Sequence, residues 1–210
     1  MTTLLLIRHG ASCANVEHRF VGQTDSPLSE WGKAQAERTA DYIVANYAVD
    51  RVYASDLSRA YQTGKVIADR LGIEVIPDRR LREIHVGIWE DSCFAEMLAK
   101  GEPFFRLWKQ DFGKIVCPEG ESVAEVQKRM AEALEQIARE NDGKTVAVAS
   151  HAAAIRSVQC LYEGKTLEEM KDIPWVTNAS VTVLQYADNR MTLVSVGYDA
   201  HLGDIRRELE

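Results

Sequence analysis

Four apolar residues, Leu4-Leu5-Leu6-Ile7, stop abruptly at Arg8-His9-Gly10. The run is short, does not alternate and ends in glycine, which predicts a strand buried on both faces. A second such run, Thr145-Val146-Ala147-Val148-Ala149, ends in Ser150-His151. Elsewhere, short apolar runs give way to helical stripes. Ala34, Ala36, Ala40, Ile43 and Val44 predict a helix over 30–47, with Ser29 as its N-cap. Arg51-Val52-Tyr53-Ala54 reads as a strand, and Ser55-Asp56-Leu57-Ser58-Arg59 opens a helix to about Leu71 with Gly72 as C-cap. Residues 73–76 form a third short strand closed by Pro77. The period is lost after Leu81. Between about 89 and 116, Phe94, Phe104, Phe105, Trp108 and Phe112 lie among charges in short helical pieces, which suits a lid inserted at about 85–120. Ser122 and Glu125 make a capping box for a helix to about 140, and a further helix spans 152–162. Residues 180–186 and 191–196, joined by a turn, read as a hairpin that adds an antiparallel edge. The polar stretch 11–25 reads as loop. Together these elements predict an α/β fold: a three-layer sandwich with a mostly parallel central sheet, a C-terminal antiparallel hairpin and a small helical lid insertion.

Composition narrows the function classes. A chain of 210 residues with 46% apolar content suits a single domain, here 1–210, with a real core. The net charge of −7 disfavours nucleic acid and anionic membrane as partners, so any anionic ligand must be drawn by a local positive site. No apolar run approaches the roughly 18 residues of a spanning helix. The start, Met1-Thr2-Thr3, leads directly into a strand without the pattern of a secretory signal. Cys13, Cys93, Cys117 and Cys160 are scattered, which suits reduced thiols in a cytoplasm and offers neither a zinc site nor a disulfide framework. The oligomeric state is left open, with a homodimer allowed.

The chemistry follows from where the strands end. Buried parallel strands present functional groups at their C-terminal ends. Arg8 and His9 leave one such end, Ser55 to Arg59 another and His151 a third. A lone histidine is more often a satisfied structural group, but two of five at strand exits point to a shared crevice. Guanidiniums, imidazoles and helix N-termini together suit a tetrahedral oxyanion. Gly10, lacking Cβ, would let a ligand approach the backbone. Among cations an imidazole stays neutral and keeps a lone pair for in-line attack on phosphorus. The departing alkoxide needs a proton, for which Glu83 is the candidate donor. The plainer alternative makes Glu83 a surface partner of Arg79, Arg80 or Arg82.

Five blocks in order resemble the histidine phosphatase superfamily, the phosphoglycerate mutase-like fold, over essentially the whole chain. They are Arg8-His9-Gly10-Ala11-Ser12 with Asn15; Asp25-Ser26-Pro27-Leu28-Ser29 with Gly32 and Gln35-Ala36; Ser55-Asp56-Leu57-Ser58-Arg59-Ala60 with Gln62-Thr63; Leu81-Arg82-Glu83-Ile84 with Gly87 and Trp89-Glu90; and Gly120-Glu121-Ser122 with Ser150-His151. The resemblance implies that His9 is a nucleophile that becomes phosphohistidine. It makes Arg8, Arg59 and His151 ligands of the phosphoryl group and Glu83 the proton donor. It places Asn15, Ser12, Gly22 and Ala152 around the bound substrate. Ser12, Ala152 and Asp91 depart from the usual Thr, Gly and Gly. These implications give a phosphatase of the histidine acid phosphatase type that acts on a small phosphorylated metabolite, with no cofactor and no metal ligand. Phosphoryl transfer of the mutase type is the alternative. That branch typically carries Glu-Arg-x-Tyr-Gly around the acid, whereas here Glu83-Ile84-His85-Val86-Gly87 offers no cation at Ile84. A non-catalytic phospholigand-binding module is a third reading, in which one of His9, Arg59, Glu83 or His151 should be missing; all are present. Phe104, Phe105 and Trp108 are candidates for an apolar wall against the substrate.

Overall fold

The computed structural model describes residues 1–100 and 103–206, with the backbone alone at 103–105 and 109. In chain order the elements are β1 (Thr2–Arg8), α1 (Cys13–Val16), β2 (Arg19–Phe20), α2 (Glu30–Asn46), β3 (Arg51–Ala54), α3 (Ser58–Leu71), β4 (Val75–Pro77), β5 (Ser92–Cys93), α4 (Phe94–Ala99), α5 (Pro103–Gln110), α6 (Val123–Glu140), β6 (Thr145–Ser150), α7 (Ala152–Tyr162), β7 (Val181–Ala187) and β8 (Arg190–Tyr198). Short 3-10 turns at Arg79–Leu81, Gly87–Trp89, Phe112–Lys114, Leu167–Asp172 and Ala200–Ile205 join them.

Six strands form the central sheet in the order β4-β3-β6-β1-β7-β8. β4, β3, β6 and β1 run parallel, while β7 is antiparallel to β1 and to β8. The predicted fold class and terminal hairpin are therefore present. Strand side chains alternate between faces. Leu5, Ile7, Val52 and Ala147 pack with Ala40 and Ile43 of α2 and Ile67 and Ala68 of α3. Leu4, Leu6, Val146 and Val148 pack with Met130, Leu134 and Ile137 of α6 and Ile155 and Val158 of α7. Both faces are covered, so the strands carry continuous apolar runs rather than alternation.

Four expectations change in detail. First, the stretch 11–25 is not simply loop: α1 is closed by a capping box of Ser12 and Asn15, and β2 pairs antiparallel with β5. Two to four residues are too few to show a period. Second, on α2 Ala34 and Val44 are exposed, and the buried side holds Gln35 and Thr39 instead. These polar groups brace neighbouring loops: Gln35 Oε1 accepts from Ala11 N–H at 2.9 Å, and Thr39 Oγ1 donates to the Ala179 carbonyl at 2.9 Å. Third, the third strand begins at Val75 rather than residue 73. Gly72 is left-handed (φ 66°), and Ile73 N–H returns to the Ala68 carbonyl, so Ile73 completes the helix C-cap. Fourth, Pro77 lies within β4, an edge strand where its missing N–H is tolerated. Within 85–120 the described residues form the short helical pieces expected, and no described helix is long and apolar enough to cross a membrane.

Candidate active site

Parallel pairing sets the site. Arg8 and Ser150 are register partners across β1 and β6, so His9 and His151 leave adjacent strands side by side. Their rings lie 5.1 Å apart, centroid to centroid, at 60°. Ser55 leaves the next strand, its N–H bonded to the Ala149 carbonyl at 2.9 Å. On the other side, the segment before β7 wraps the end of β1. Asn178 Nδ2 donates to the His9 carbonyl at 3.0 Å, and Ala179 N–H donates to the Arg8 carbonyl.

His9 Nδ1 lies 2.7 Å from the Gly10 carbonyl oxygen. A carbonyl only accepts, so that nitrogen carries the proton and Nε2 keeps the lone pair. Burial, then Arg59 and Arg8, hold the imidazole well below its ordinary 6.5. Burial, then Arg59, His9, Arg129 and Arg8, do the same to His151. Both rings are neutral at pH 7. Arg8 is pushed down to about 10, chiefly by burial, and remains a cation. Its Nη1 donates to the Val176 carbonyl at 2.5 Å. Its Nε has no hydrogen-bond partner among the described residues, and neither has His151 Nδ1; both atoms are buried. Arg59, 1% exposed, is also lowered by burial. It donates to the carbonyls of Gly22 (2.7 Å) and Thr24 (3.2 Å).

Glu83 is buried beside these cations. Its carboxylate accepts from the N–H groups of Ile84, Ala153 and Ala154 at 3.0–3.1 Å. The first-turn amides of α7 at Ala153 and Ala154, expected to face an anionic ligand, are therefore taken by Glu83. The surface-pair alternative does not hold: Arg80 pairs with Asp78, and Arg79 and Arg82 with Asp56. Two neighbours support Glu83 and Arg59 from behind. Arg129 donates to the carbonyls of Arg80, Arg82 and Glu83 and pairs with Glu121. Glu90 accepts from the N–H groups of Gly22, Gln23, Thr24 and Val86, fixing the loop whose carbonyls hold Arg59. Burial raises Glu90, but these backbone donors outweigh it and its carboxyl is lowered overall.

The remaining predicted residues divide. Asn15 Oδ1 accepts from Ser12 N–H at 3.0 Å and from Asn178 at 3.5 Å, while Ser12 Oγ caps α1. This pair shapes the loop beside His9. Gly22 acts through Arg59; a Cβ there would lie 2.2 Å from the Ile84 carbonyl oxygen. Ala152 is half-buried at the start of α7. Gly10 needs revision: the group that approaches it is the backbone of Gly32, whose oxygen would meet a Cβ at 2.3 Å, rather than a ligand. Trp108 packs edge-on against Phe20 and Phe112 and stacks on Trp175. The side chains of Phe104 and Phe105 lie outside the described residues. Asp91 adopts φ 62°, a conformation natural to the usual glycine, and is tied to Arg19 at 2.6 Å. The local pattern placed Ser55 at a strand exit without giving it a role, and did not single out Asn178 and Arg129, which act through contacts distant in sequence.

Chemically, a neutral imidazole with a free lone pair, two guanidiniums, a second imidazole and a buried carboxyl could bind a tetrahedral oxyanion and attack it. Among the described residues, no three His, Cys, Asp or Glu side chains gather as a metal site would require.

Comparison with known proteins gives the family. Residues 4–199 match the histidine phosphatase superfamily (branch 1). Phosphoserine phosphatase 1 of Hydrogenobacter thermophilus is 32% identical over 97% of this chain and 96% of its own. A probable phosphoglycerate mutase GpmB of Serratia proteamaculans is 35% identical over 74% of this chain and 72% of its own. The solved structure of YhfR from Bacillus stearothermophilus superposes with a TM-score of 0.91 at 29% identity, covering 96% of this chain and all (100%) of that one. The chain belongs to the histidine phosphatase superfamily, branch 1.

Proposed function

We propose that this histidine phosphatase superfamily member is a phosphomonoester hydrolase that works through phosphohistidine. The observation that carries the reading is the His9 Nδ1–Gly10 carbonyl bond, which leaves Nε2 as a nucleophile among Arg8, Arg59 and His151. In the first step Nε2 forms a bond to phosphorus as the ester P–O bond breaks, and protonated Glu83 gives its proton to the departing alkoxide. In the second, a water molecule attacks the phosphohistidine. Its proton passes to the Glu83 carboxylate, and the N–P bond breaks to release phosphate and neutral His9. Arg8, Arg59 and His151 bind the phosphoryl oxygens throughout and stabilise the charge they gain. These side chains supply the positive charge, so activity is expected to survive exhaustive chelation. In this reading the chain is one catalytic domain, and the short helices within 85–120 form a lid that selects the leaving group.

Hydrolysis is favoured over transfer within a sugar acid by Ile84. Its side chain is 1% exposed and sits in the core, so the position offers no cation to a substrate carboxylate. The substrate class is a small phosphomonoester, consistent with a relative named phosphoserine phosphatase. The test is rapid quenching during turnover and mapping of the acid-labile phosphate. The expected site is His9, with His9→Ala inactive. Phosphate on another residue, or full activity in His9→Ala, overturns the reading. Incubation with 3-phosphoglycerate separates the branches: free phosphate should form faster than isomer.

A further inference from the structure

His151 has a partner that the proposed reaction does not use. Ser55 is fully buried at the exit of β3, and its Oγ lies 2.8 Å from His151 Nε2. We propose that Ser55 is a positioning residue: its hydroxyl donates to His151 Nε2 and so fixes the ring as the Nδ1–H tautomer, with that N–H as a donor to a phosphoryl oxygen. The proposal rests on the reading of His151 as a phosphoryl ligand.

Proton accounting carries the assignment. Ser55 Oγ already accepts a hydrogen bond from Leu57 N–H at 3.3 Å. Its own proton has one nitrogen in reach, His151 Nε2, and no other acceptor among the described residues. If Nε2 carried the proton instead, two N–H groups would face one hydroxyl oxygen and the buried serine proton would lack an acceptor, a costly arrangement. The opposite ring nitrogen would then direct a lone pair, rather than a proton, at an arriving anion. Nδ1 is buried and has no hydrogen-bond partner among the described residues, as is also true of Arg8 Nε in the same cluster. Burial, and then the surrounding cations, keep the ring neutral, so it owns a single N–H, and its location decides whether His151 attracts or repels a phosphoryl oxygen.

The two imidazoles then share a tautomer for opposite purposes. In His9 the Gly10 carbonyl accepts a hydrogen bond from Nδ1–H and leaves Nε2 to attack. In His151 the Ser55 hydroxyl satisfies Nε2 and leaves the Nδ1 proton to bind. The site needs one ring of each orientation, and a different short side-chain or backbone partner sets each.

Long-range 1H–15N spectra of the imidazoles, assigned with His9→Gln and His151→Gln, read the tautomers directly in the ligand-free protein. Wild type is expected to show Nδ1–H at His151. Ser55→Ala is expected to shift His151 toward Nε2–H and to weaken inorganic phosphate binding and kcat/KM by about 10- to 100-fold, the range of one lost charge-assisted hydrogen bond. Ser55→Cys, a weaker donor at the same place, should fall between. An Nε2–H tautomer in wild type overturns the proposal without any variant having to fold. So does an unchanged tautomer or an unchanged phosphate dissociation constant in Ser55→Ala. If the tautomers are as stated but no phosphomonoester is hydrolysed, the functional reading falls while the role of Ser55 toward His151 stands.

Discussion

His9 and His151 face each other with centroids 5.1 Å apart because their preceding residues, Arg8 and Ser150, are partners in a parallel ladder. A buried site then results in which neither ring can take a proton cheaply, and consequences for pH, catalysis and stability follow.

Stability should fall as the solution is acidified below pH 6.5. Both rings have folded values well below the ordinary 6.5, and His201 is lowered as well, chiefly by burial. Below 6.5 the unfolded chain binds protons that the folded protein refuses. The stabilising contribution is therefore complete above that pH and is lost as pH falls through the folded values. Each ring contributes a slope of up to about 1.4 kcal/mol per pH unit in that window. Urea melts between pH 7.5 and 5 measure it, and the double variant His9→Gln/His151→Gln should flatten the curve. A flat wild-type curve contradicts the assignment.

Glu83→Gln should distinguish leaving groups. An alkyl alkoxide needs a proton, whereas nitrophenolate departs without one. Formation of the phosphoenzyme from alkyl phosphates should slow by about 10²–10⁴-fold, and from nitrophenyl phosphate far less, as read by burst kinetics. Equal losses would make Glu83 a shaper of the pocket, and no loss with either substrate would send the search for the acid to Glu90, Asp91 and Glu121.

Glu90→Ala removes the acceptor of four backbone N–H groups and frees the loop that holds Arg59 through Gly22 and Thr24. A stability loss of about 1–3 kcal/mol is expected in urea melts. Phosphate binding should weaken with it, because Arg59 loses its anchors. Unchanged affinity for inorganic phosphate would show that Arg59 is held without this loop.

Arg129→Met leaves the Arg80 and Arg82 carbonyls without their donor and takes the cation from Glu121 and one of two donors from the Glu83 carbonyl, which keeps Gln23 Nε2. The expected cost is about 2–4 kcal/mol of stability. Since Arg129 holds the Glu83 backbone, the catalytic loss should be larger for alkyl than for nitrophenyl phosphates. A uniform loss for both would confine Arg129 to a structural role.

What the sequence determined by itself is the set of elements with strong local signals. β1 and β6 announce themselves as apolar runs, Ser29 and Ser122 cap the helices they were expected to cap, and Gly72 ends α3. Arg8, His9, Arg59 and His151 could be picked out as candidates because they stand where such elements begin or end, and Glu83, in an irregular segment, because the surrounding blocks resemble one family. What only the tertiary structure decided lies in contacts between segments far apart in the chain. No local period reveals that Glu90 binds the loop at 22–24, that Arg129 grips the carbonyls at 80–83, or that Gly10 meets Gly32 rather than a ligand. The tautomers belong to the same class. Which nitrogen of His9 or His151 holds a proton depends on the neighbour that accepts or donates 2.7–2.8 Å away, and for His151 that neighbour is 96 residues earlier in the chain. Local sequence sets backbone preference and burial pattern; hydrogen-bond partnership between distant segments exists only once the chain has closed.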